Sequence, residues 1–416
     1  MNTYLYNMDV IVYSIPVFFL LILLELLFDY YKGRKGGERK YRLNDAFTNI
    51  SCGIVDQSSD IFAKVFTVGM YVLAFEVFAQ FRFWSLPQTW WMWIIAFFAV
   101  DFAYYWAHRW SHGVNLFWLG HVVHHQSEDY NLSVALRQGA FQKVFTFWVY
   151  LPLAMIGVSP EWFITIKAIN LLYQFWIHTE YVERMGWFEK VLNTPSHHRV
   201  HHGSNPKYID KNHAGVFIIW DKMFGTFQVE EERPTYGITT PTGTFNPIYA
   251  HTQPFQRLWA ELKLMPSFGD KLRLLFKSPG WYPASLGERP SSPVRREKFQ
   301  RTLSLQENIY LLTQYFILVV ITAVFLFTLD LFTGFEKGVY LTFIFIQLLT
   351  LGMYFDKEQK RQKAEVFRLM TTILFSGFVY FQLSQFIPSL ILAVLVLISF
   401  VWWNKIRQTK HYELVQ

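Results

Sequence analysis

The sequence predicts an all-α integral membrane protein of about nine transmembrane helices with a histidine-rich cytoplasmic cap. Three observations lead to this fold class. Apolar residues make up 52% of the 416 residues and charged residues only 17%, whereas a soluble domain carries about 25% charged residues. Long apolar runs recur on both sides of a polar stretch that extends from about residue 180 to residue 308. Closely spaced histidines stand at the ends of those runs and inside that stretch.

The apolar runs predict the membrane spans. A transmembrane helix needs roughly 20 apolar residues. Two of the runs are separated by Val158-Ser159-Pro160 and predict a helical hairpin, whose first member is short enough to be re-entrant. The predicted spans are Val10–Phe28, Ile61–Phe81, Trp90–Trp106, Val144–Gly157, Trp162–Ile177, Ile309–Phe332, Val339–Phe355, Val366–Phe386 and Leu390–Trp403.

The basic residues predict the orientation of these spans, because cytoplasmic loops are enriched in Lys and Arg. With an external N-terminus, the nine spans place every basic cluster, the histidine site and the C-terminus on the cytoplasmic side. The formal charge of +7 is therefore explained by topology, and no nucleic-acid partner is expected. We predict N-terminal membrane helices over residues 1–89, a histidine-box domain with its cap over 90–307, and a four-helix membrane region over 308–416. The clusters are Lys32 to Arg42, Arg295 to Lys298, Lys357 to Lys363, and Lys405 to Lys410.

A single cysteine, Cys52, limits the redox chemistry that this chain can carry alone. It excludes an intramolecular disulfide, a cysteine-ligated iron–sulfur cluster and a zinc ribbon. The sequence also has no glycine-rich dinucleotide fingerprint and no segment like cytochrome b5. Any electrons that the chain uses must therefore come from a separate donor.

The histidines carry the strongest chemical signal. One H-x-x-x-H box and two H-x-x-H-H boxes put imidazoles on one helix face, since residues three and four apart are neighbours. Imidazole suits iron, zinc, copper and nickel; a single ion takes four to six ligands, so nine clustered histidines suit two ions. His197 adjoins the third box with the wrong spacing and is a possible tenth ligand, whereas His213, His251 and His411 are expected to be structural. The predicted ligands are His108, His112, His121, His124, His125, His178, His198, His201 and His202.

These boxes resemble those of the fatty acid hydroxylase and sterol desaturase superfamily of membrane di-iron enzymes over about residues 90–230. Within it the chain is most similar to the alkylglycerol monooxygenase branch. The resemblance implies two iron ions held by the nine histidines, molecular oxygen, a lipid substrate that enters from the bilayer, and tetrahydrobiopterin as a donor. Gly113 stands where the animal enzymes of that branch are expected to have an acidic residue. The runs that carry the closer match are His121–Gln138, Ile177–Glu180, Pro195–Asn205, Tyr208–Asn212 and Trp220–Phe227.

Carboxylates commonly orient histidine ligands from behind. Asp101, Glu128, Asp129 and Glu180 lie near the boxes in sequence and are the candidates for that role, the last three being the candidate catalytic residues. The expected activity is hydroxylation of a lipid C–H bond. The most specific form of this hypothesis is the cleavage of alkylglycerol ethers. Hydroxylation or desaturation of a sterol, carotenoid or fatty acid stays open. So do a metal or proton transporter with histidines along a path through the membrane and a haem-binding electron carrier.

Overall fold

The computed structural model describes residues 9–82, 84–287, 297–356 and 360–415. The chain is mostly helical, and in these ranges β pairing is limited to the isolated bridges Leu192–Phe217 and Gly203–Tyr236. Arg295, Arg296 and Lys357, which entered the orientation argument, lie outside the described residues, as does the side chain of His411.

The chain divides into two compact units. The first comprises residues 1–243 and 250–298, and the second comprises residues 244–249 and 299–416. The first nine α-helices are α1 Asp9–Arg34, α2 Leu43–Ala79, α3 Trp90–Gly113, α4 Asn115–His125, α5 Gln142–Thr146, α6 Leu151–Ile156, α7 Pro160–Trp176, α8 Pro195–His201 and α9 Ile219–Met223. The others are α10 Pro247–Leu264, α11 Phe268–Phe276, α12 Leu305–Phe327, α13 Gly334–Asp356, α14 Arg361–Phe381 and α15 Phe386–Val415. Five short 3₁₀-helices join them at Leu132–Leu136, Phe147–Tyr150, Gly186–Lys190, Ala284–Leu286 and Leu329–Leu331.

Six of the described helices are long and apolar enough to cross a membrane, so the chain has the character of a multi-pass membrane protein. The predicted number of about nine spans is not confirmed. The six candidates are Tyr13–Arg34, Leu43–Ala79, Leu305–Phe327, Gly334–Asp356, Arg361–Phe381 and Phe386–Gln408.

The three other predicted spans fall in the region that carries the histidines. The run Val144–Gly157 is divided among α5, a 3₁₀-helix and α6, and α6 ends where Gly157 adopts a φ of 101°. Helix α7 has 17 residues and is about 25 Å long at 1.5 Å per residue, short of a 30 Å hydrocarbon core. Helix α3 has 24 residues, but Asp101 and Arg109 lie within it. This region therefore contains divided, short or charge-bearing helices where the sequence predicts three continuous spans.

In the first unit, buried contacts between α2, α3 and α7 support the histidine-bearing helices. Tyr71 stacks on Phe163 with ring centroids 4.0 Å apart, and its hydroxyl donates to the carbonyl of Val158 at 3.0 Å. Asp101 is buried on α3 and accepts hydrogen bonds from the amides of Val216 and Phe217 at 2.8 and 3.1 Å. Its carboxylate also accepts from Trp220 and Asn170. A single carboxylate thereby joins α3 to α7 and to the segment before α9.

The second unit contains α12 to α15 and buries a charged pair among them. Arg368 and Glu365 are 5% and 1% exposed, and their side chains meet at 2.6 and 2.9 Å. Arg368 also donates to Gln314 at 2.9 Å and to Gln347 at 3.3 Å. These four side chains satisfy one another, which is what an apolar surrounding demands of buried polar groups.

Candidate metal centre

Four elements of the first unit supply the nine predicted ligands. Helix α3 carries the first box at its C-terminal end, α4 carries the second, and α8 with the residue after it carries the third. His178 follows α7, one residue after its C-cap. The exposed fraction of every one of these histidines is between 1% and 7%. The structure therefore brings together all nine residues that the sequence singled out and shields them from solvent.

The nine side chains form two groups. Within each group, every residue offers one nitrogen that lies within 4.8 Å of the others. We call them the five-histidine group and the four-histidine group. The five-histidine group consists of His108, His112, His121, His125 and His201. The four-histidine group consists of His124, His178, His198 and His202.

Each H-x-x-H-H box is divided between the two groups. His121 and His125 enter the five-histidine group, whereas His124 between them enters the other. In the third box, His198 and His202 enter the four-histidine group and His201 enters the other. A 3.6-residue turn separates positions i and i+4 by only about 40° around the helix axis, but i+3 and i+4 by about 100°. The pairs four apart therefore stay together, and the remaining histidine points to the neighbouring group.

Main-chain carbonyls fix the rings of several of these histidines. The Nδ1–H of His108 donates to the carbonyl of His213 at 2.8 Å, and that of His201 donates to Lys211 at 2.9 Å. In the four-histidine group, His124 donates to the carbonyl of Arg137 at 2.8 Å and His178 to that of Gln174 at 2.7 Å. A proton held on Nδ1 leaves Nε2 as a lone pair, which is the form that binds a metal.

The nitrogens that face one another indicate what the groups could hold. His124 and His178 both hold their proton on Nδ1, yet their Nε2 atoms lie 3.3 Å apart. Two lone pairs at that distance repel each other unless a cation lies between them. In addition, the buried Nε2 atoms of His112, His201 and His202 have no hydrogen-bond partner. Zinc–imidazole bonds of about 2.1 Å put ligands of one ion within about 4.2 Å of each other, close to the spread seen here. The donor set therefore fits one metal ion in each group.

Burial lowers the pKa of eight of these imidazoles and so keeps them neutral. Desolvation is the largest cause of the shift in each case, and it lowers the pKa of His124 to about 4. The neighbouring imidazoles reinforce the effect, since a second positive charge nearby is unfavourable. The lone pairs are therefore free at physiological pH without competition from protons. The residues whose pKa lies well below the ordinary value of 6.5 are His108, His121, His125, His178, His198, His201 and His202.

Three of the four predicted supporting carboxylates have basic partners of their own. Asp129 contacts Arg42 and Lys298, each at 2.7 Å. Glu128 lies 3.8 Å from Arg42. Glu180 contacts Lys40 and Arg233, each at 3.0 Å. Main-chain carbonyls pair with several of the ligand rings. These three carboxylates instead anchor the segments around the boxes through their basic partners.

The loop Tyr208–Asn212, which the sequence analysis quoted only for its resemblance, supports the five-histidine group. Asp210 and Asn212 have φ values of 58° and 54°, a conformation that Asn and Asp tolerate better than most residues. This bend directs the carbonyls on either side of Asn212 at His201 and His108, and it places the Asp210 carboxylate 3.5 Å from Nδ1 of His112. In the sequence, the order Asp210-Lys211-Asn212 is the feature that could have indicated this bend, because Asp and Asn tolerate a positive φ.

Two further histidines lie beside the groups. The ring of His213 is 1% exposed and its centroid lies 5.0 Å from that of His112, so its surroundings are those of the site even though it was expected to be structural. His197 is also buried, and its ring packs against Phe227 at 5.4 Å. Neither belongs to the two groups.

Aromatic rings close the site on two sides. Tyr130 lies 5.2 Å from His202 and stacks on Tyr236 at 4.9 Å. Trp118 lies 5.0 Å from His112. These aromatic side chains give the histidine site an apolar border on both sides.

The chain is similar in sequence to known proteins. The sequence model of the fatty acid hydroxylase family matches residues 93–226, which contain both groups. The human alkylglycerol monooxygenase is 38% identical over 390 residues, covering 92% of this chain and 85% of its own. The Xenopus tropicalis alkylglycerol monooxygenase is 38% identical over 371 residues, covering 87% and 81%. An ornithine lipid hydroxylase of Rhizobium tropici is 26% identical over 138 residues, covering 32% and 41%. No solved structure matches this chain.

Proposed function

The chain belongs to the alkylglycerol monooxygenase family, and from that premise we propose that it is a membrane-bound di-iron oxygenase that hydroxylates ether lipids beside the ether oxygen. The observation that carries the proposal is the division of nine buried histidines into two groups of converging nitrogens. Hydroxylation at that carbon gives a hemiacetal, which collapses to a fatty aldehyde and glycerol. The net reaction consumes one dioxygen, two electrons and two protons and releases one water.

Iron held by the two groups would supply the oxidation of an unactivated C–H bond by dioxygen, which no side chain can perform. His178 and His124 would hold one ion with His198 and His202, and the five-histidine group would hold the other. The carbonyls of Arg137 and Gln174 fix the orientation of two of these rings. The chain thus contributes positioned neutral ligands.

The protein also controls what reaches the histidines. Tyr130 and Trp118 present aromatic faces to the site, so an alkyl chain is favoured there over water. We place the site at the cytoplasmic surface, where the positive-inside rule puts the basic clusters. The electron donor is a separate molecule, with tetrahydrobiopterin proposed from the resemblance and a ferredoxin or b-type cytochrome as the alternative.

Metal content tests the first half of the proposal. We expect about two irons per chain in protein purified in detergent and reconstituted with ferrous iron. His178→Ala should lower the content towards one by disabling the four-histidine group, and His112→Ala should do the same through the other group. His197→Ala is the matched control, since His197 is buried beside the boxes but belongs to neither group. Metal that survives both ligand substitutions would refute the assignment.

Product analysis tests the second half. Protein loaded with iron is given an alkylglycerol, dioxygen and either tetrahydrobiopterin or a reduced ferredoxin, and the fatty aldehyde is trapped as a hydrazone. An acylglycerol of equal chain length is the control substrate, because it has an ester where the ether stands. Aldehyde from the ether alone supports the proposal. Oxidation of a sterol or fatty acid without ether cleavage would move the assignment to another branch of the superfamily.

A further inference from the structure

Helix α11, Phe268–Phe276, has two apolar sides although it is not among the candidate membrane spans. One side is buried: Leu274 is 0% exposed and packs in a cluster with Leu119 and Leu258. The other side is exposed: Phe268 and Phe276 are 74% and 59% exposed. The buried side accounts for the folding of this helix onto the first unit. The exposed side requires another explanation.

The exposed apolar residues follow helical spacing and continue onto the preceding helix. Phe268, Leu272 and Phe276 stand four residues apart, so they form one stripe along the surface of α11. Trp259 and Leu264 near the end of α10 are 62% and 60% exposed. Exposed apolar surface of this kind, carried here by two consecutive helices, marks an interaction surface in a folded protein.

Basic side chains border this patch. Residues 257–277 contain five basic and two acidic residues, which gives a net charge of +3. The Lys263 ammonium lies 5.5 Å from the ring centroid of Trp259. One of the acids, Asp270, is already paired with Arg273 at 3.0 Å. The surroundings of the patch therefore favour a negatively charged partner. The basic residues are Arg257, Lys263, Lys271, Arg273 and Lys277.

We propose that α11 lies in the bilayer–water interface, with its apolar stripe among the acyl chains of a leaflet that contains anionic phospholipid. Its nine residues extend about 14 Å, too short to span but suited to lie in the plane of the membrane. An exposed apolar face with lysines at its borders is typical of such helices. Trp259 has the amphipathic ring that is enriched at that depth.

This placement fixes the depth of the histidine site. Asn115 is the first residue of α4; its amide donates to the carbonyl of Lys277 at 2.9 Å, and its side-chain amide donates to that of Leu274 at 3.0 Å. Asn115 is 6% exposed, so both bonds are sheltered from water. Since α4 carries the second histidine box, a helix held at the headgroup level sets where that box begins. The inference goes beyond the proposed chemistry and is tested without any turnover.

Spin labels measure the depth of α11 directly. The chain has one cysteine, Cys52, which is 0% exposed, so Cys52→Ala gives a clean background for Phe268→Cys and Leu272→Cys. Glu231→Cys is the matched control, because the Glu231 side chain is 59% exposed on a polar loop of the same unit. Each nitroxide is examined in nanodiscs of phosphatidylcholine and phosphatidylserine for collisions with oxygen and with a water-soluble nickel chelate. Metal content serves as the check that each variant is folded.

We expect the labels at 268 and 272 to favour oxygen over the nickel chelate several-fold relative to the label at 231. Accessibility to the chelate equal to that of the control would overturn the proposal, because the stripe would then face water. Shielding from both reagents would also overturn it, since that pattern indicates contact with protein.

The charge requirement has its own measurement. Labels on the stripe should lie deeper in nanodiscs with phosphatidylserine than in pure phosphatidylcholine, and Lys263→Glu with Lys271→Glu should abolish that difference. Depth that is independent of lipid charge in the parent protein would contradict the anionic partner.

Discussion

Acid should destabilise the metal-stripped protein through the histidines that burial keeps neutral. The pKa of His124 lies at about 4 in the folded protein against an ordinary value of 6.5. The unfolded chain therefore binds a proton that the folded chain does not as pH falls below 6.5. The stability from this residue is complete above pH 6.5 and is lost as pH falls towards 4. At about 1.4 kcal/mol per pKa unit, the loss between pH 7 and pH 5 is about 2 kcal/mol for His124 alone.

Other histidines of the site shift in the same direction, so their contributions add to that loss. The pKa of His198 and that of His202 both lie well below the ordinary value because of burial. A typical unfolding free energy is only about 5–15 kcal/mol. A few such residues therefore suffice to unfold the stripped protein in mild acid.

The assay is thermal unfolding in detergent after chelator treatment, followed by the fluorescence of the 16 tryptophans, at pH 7 and pH 5. His124→Gln removes one titrating group, so its loss between the two pH values should be about 2 kcal/mol smaller than that of the parent. Metal-loaded protein is the control, since a lone pair that is bound to a cation cannot accept a proton. A stripped protein of equal stability at both pH values, or a variant with an undiminished loss, would refute the reasoning.

Four substitutions test the packing around the site by the same unfolding assay. Gly139→Ala puts a Cβ 1.7 Å from a carbonyl of α4 and should lower the free energy of unfolding by about 3 kcal/mol. Its control Gly113→Ala meets open space and should change that free energy by no more than about 1 kcal/mol. Equal effects of the two substitutions would contradict the close approach at Gly139. Arg199→Lys loses a bidentate contact with Glu230 at 2.7 and 2.9 Å and should lower the free energy of unfolding by about 2 kcal/mol. An unchanged stability would contradict this expectation. Asp101→Asn replaces an acceptor of four hydrogen bonds and should cost about 2–3 kcal/mol; an unchanged midpoint would show that α3 does not depend on them.

The sequence predicted that these nine histidines would lie close together but not how they divide into two groups. Histidines three and four residues apart had to share a helix face, and this local geometry alone brought His121, His124 and His125 into one candidate site. Their division depends on which neighbouring helix each ring meets, and that is decided by tertiary packing. The carbonyls of His213 and Lys211 were missed for a related reason, because any residue can present a carbonyl and only the backbone bend at Asn212 directs these two inward.

The predicted runs outside the histidine region overlap the six candidate membrane spans, although α2 begins at Leu43, well before the predicted start at Ile61. The segment Val144–Gly157 has the same composition but is divided into short helices, and Pro152 begins one of them. Mean hydropathy is averaged over a window of residues, so it does not detect where a helix is interrupted within that window. The carboxylates were predicted by closeness in sequence, yet Asp129 and Glu180 are paired with bases brought from distant segments. Sequence distance carries no information about those partners.

Because the boxes are shared, the two proposed metal positions should be thermodynamically dependent on each other. Helix α4 contributes His121 to one group and His124 to the other, and the third box divides in the same way. An ion that immobilises α4 from one side removes part of the ordering entropy that the second ion would otherwise have to overcome. Iron uptake by the stripped protein should therefore be cooperative, with a sigmoidal titration and little of the singly loaded species. In such a protein, partial iron supply yields a mixture of empty and fully loaded chains.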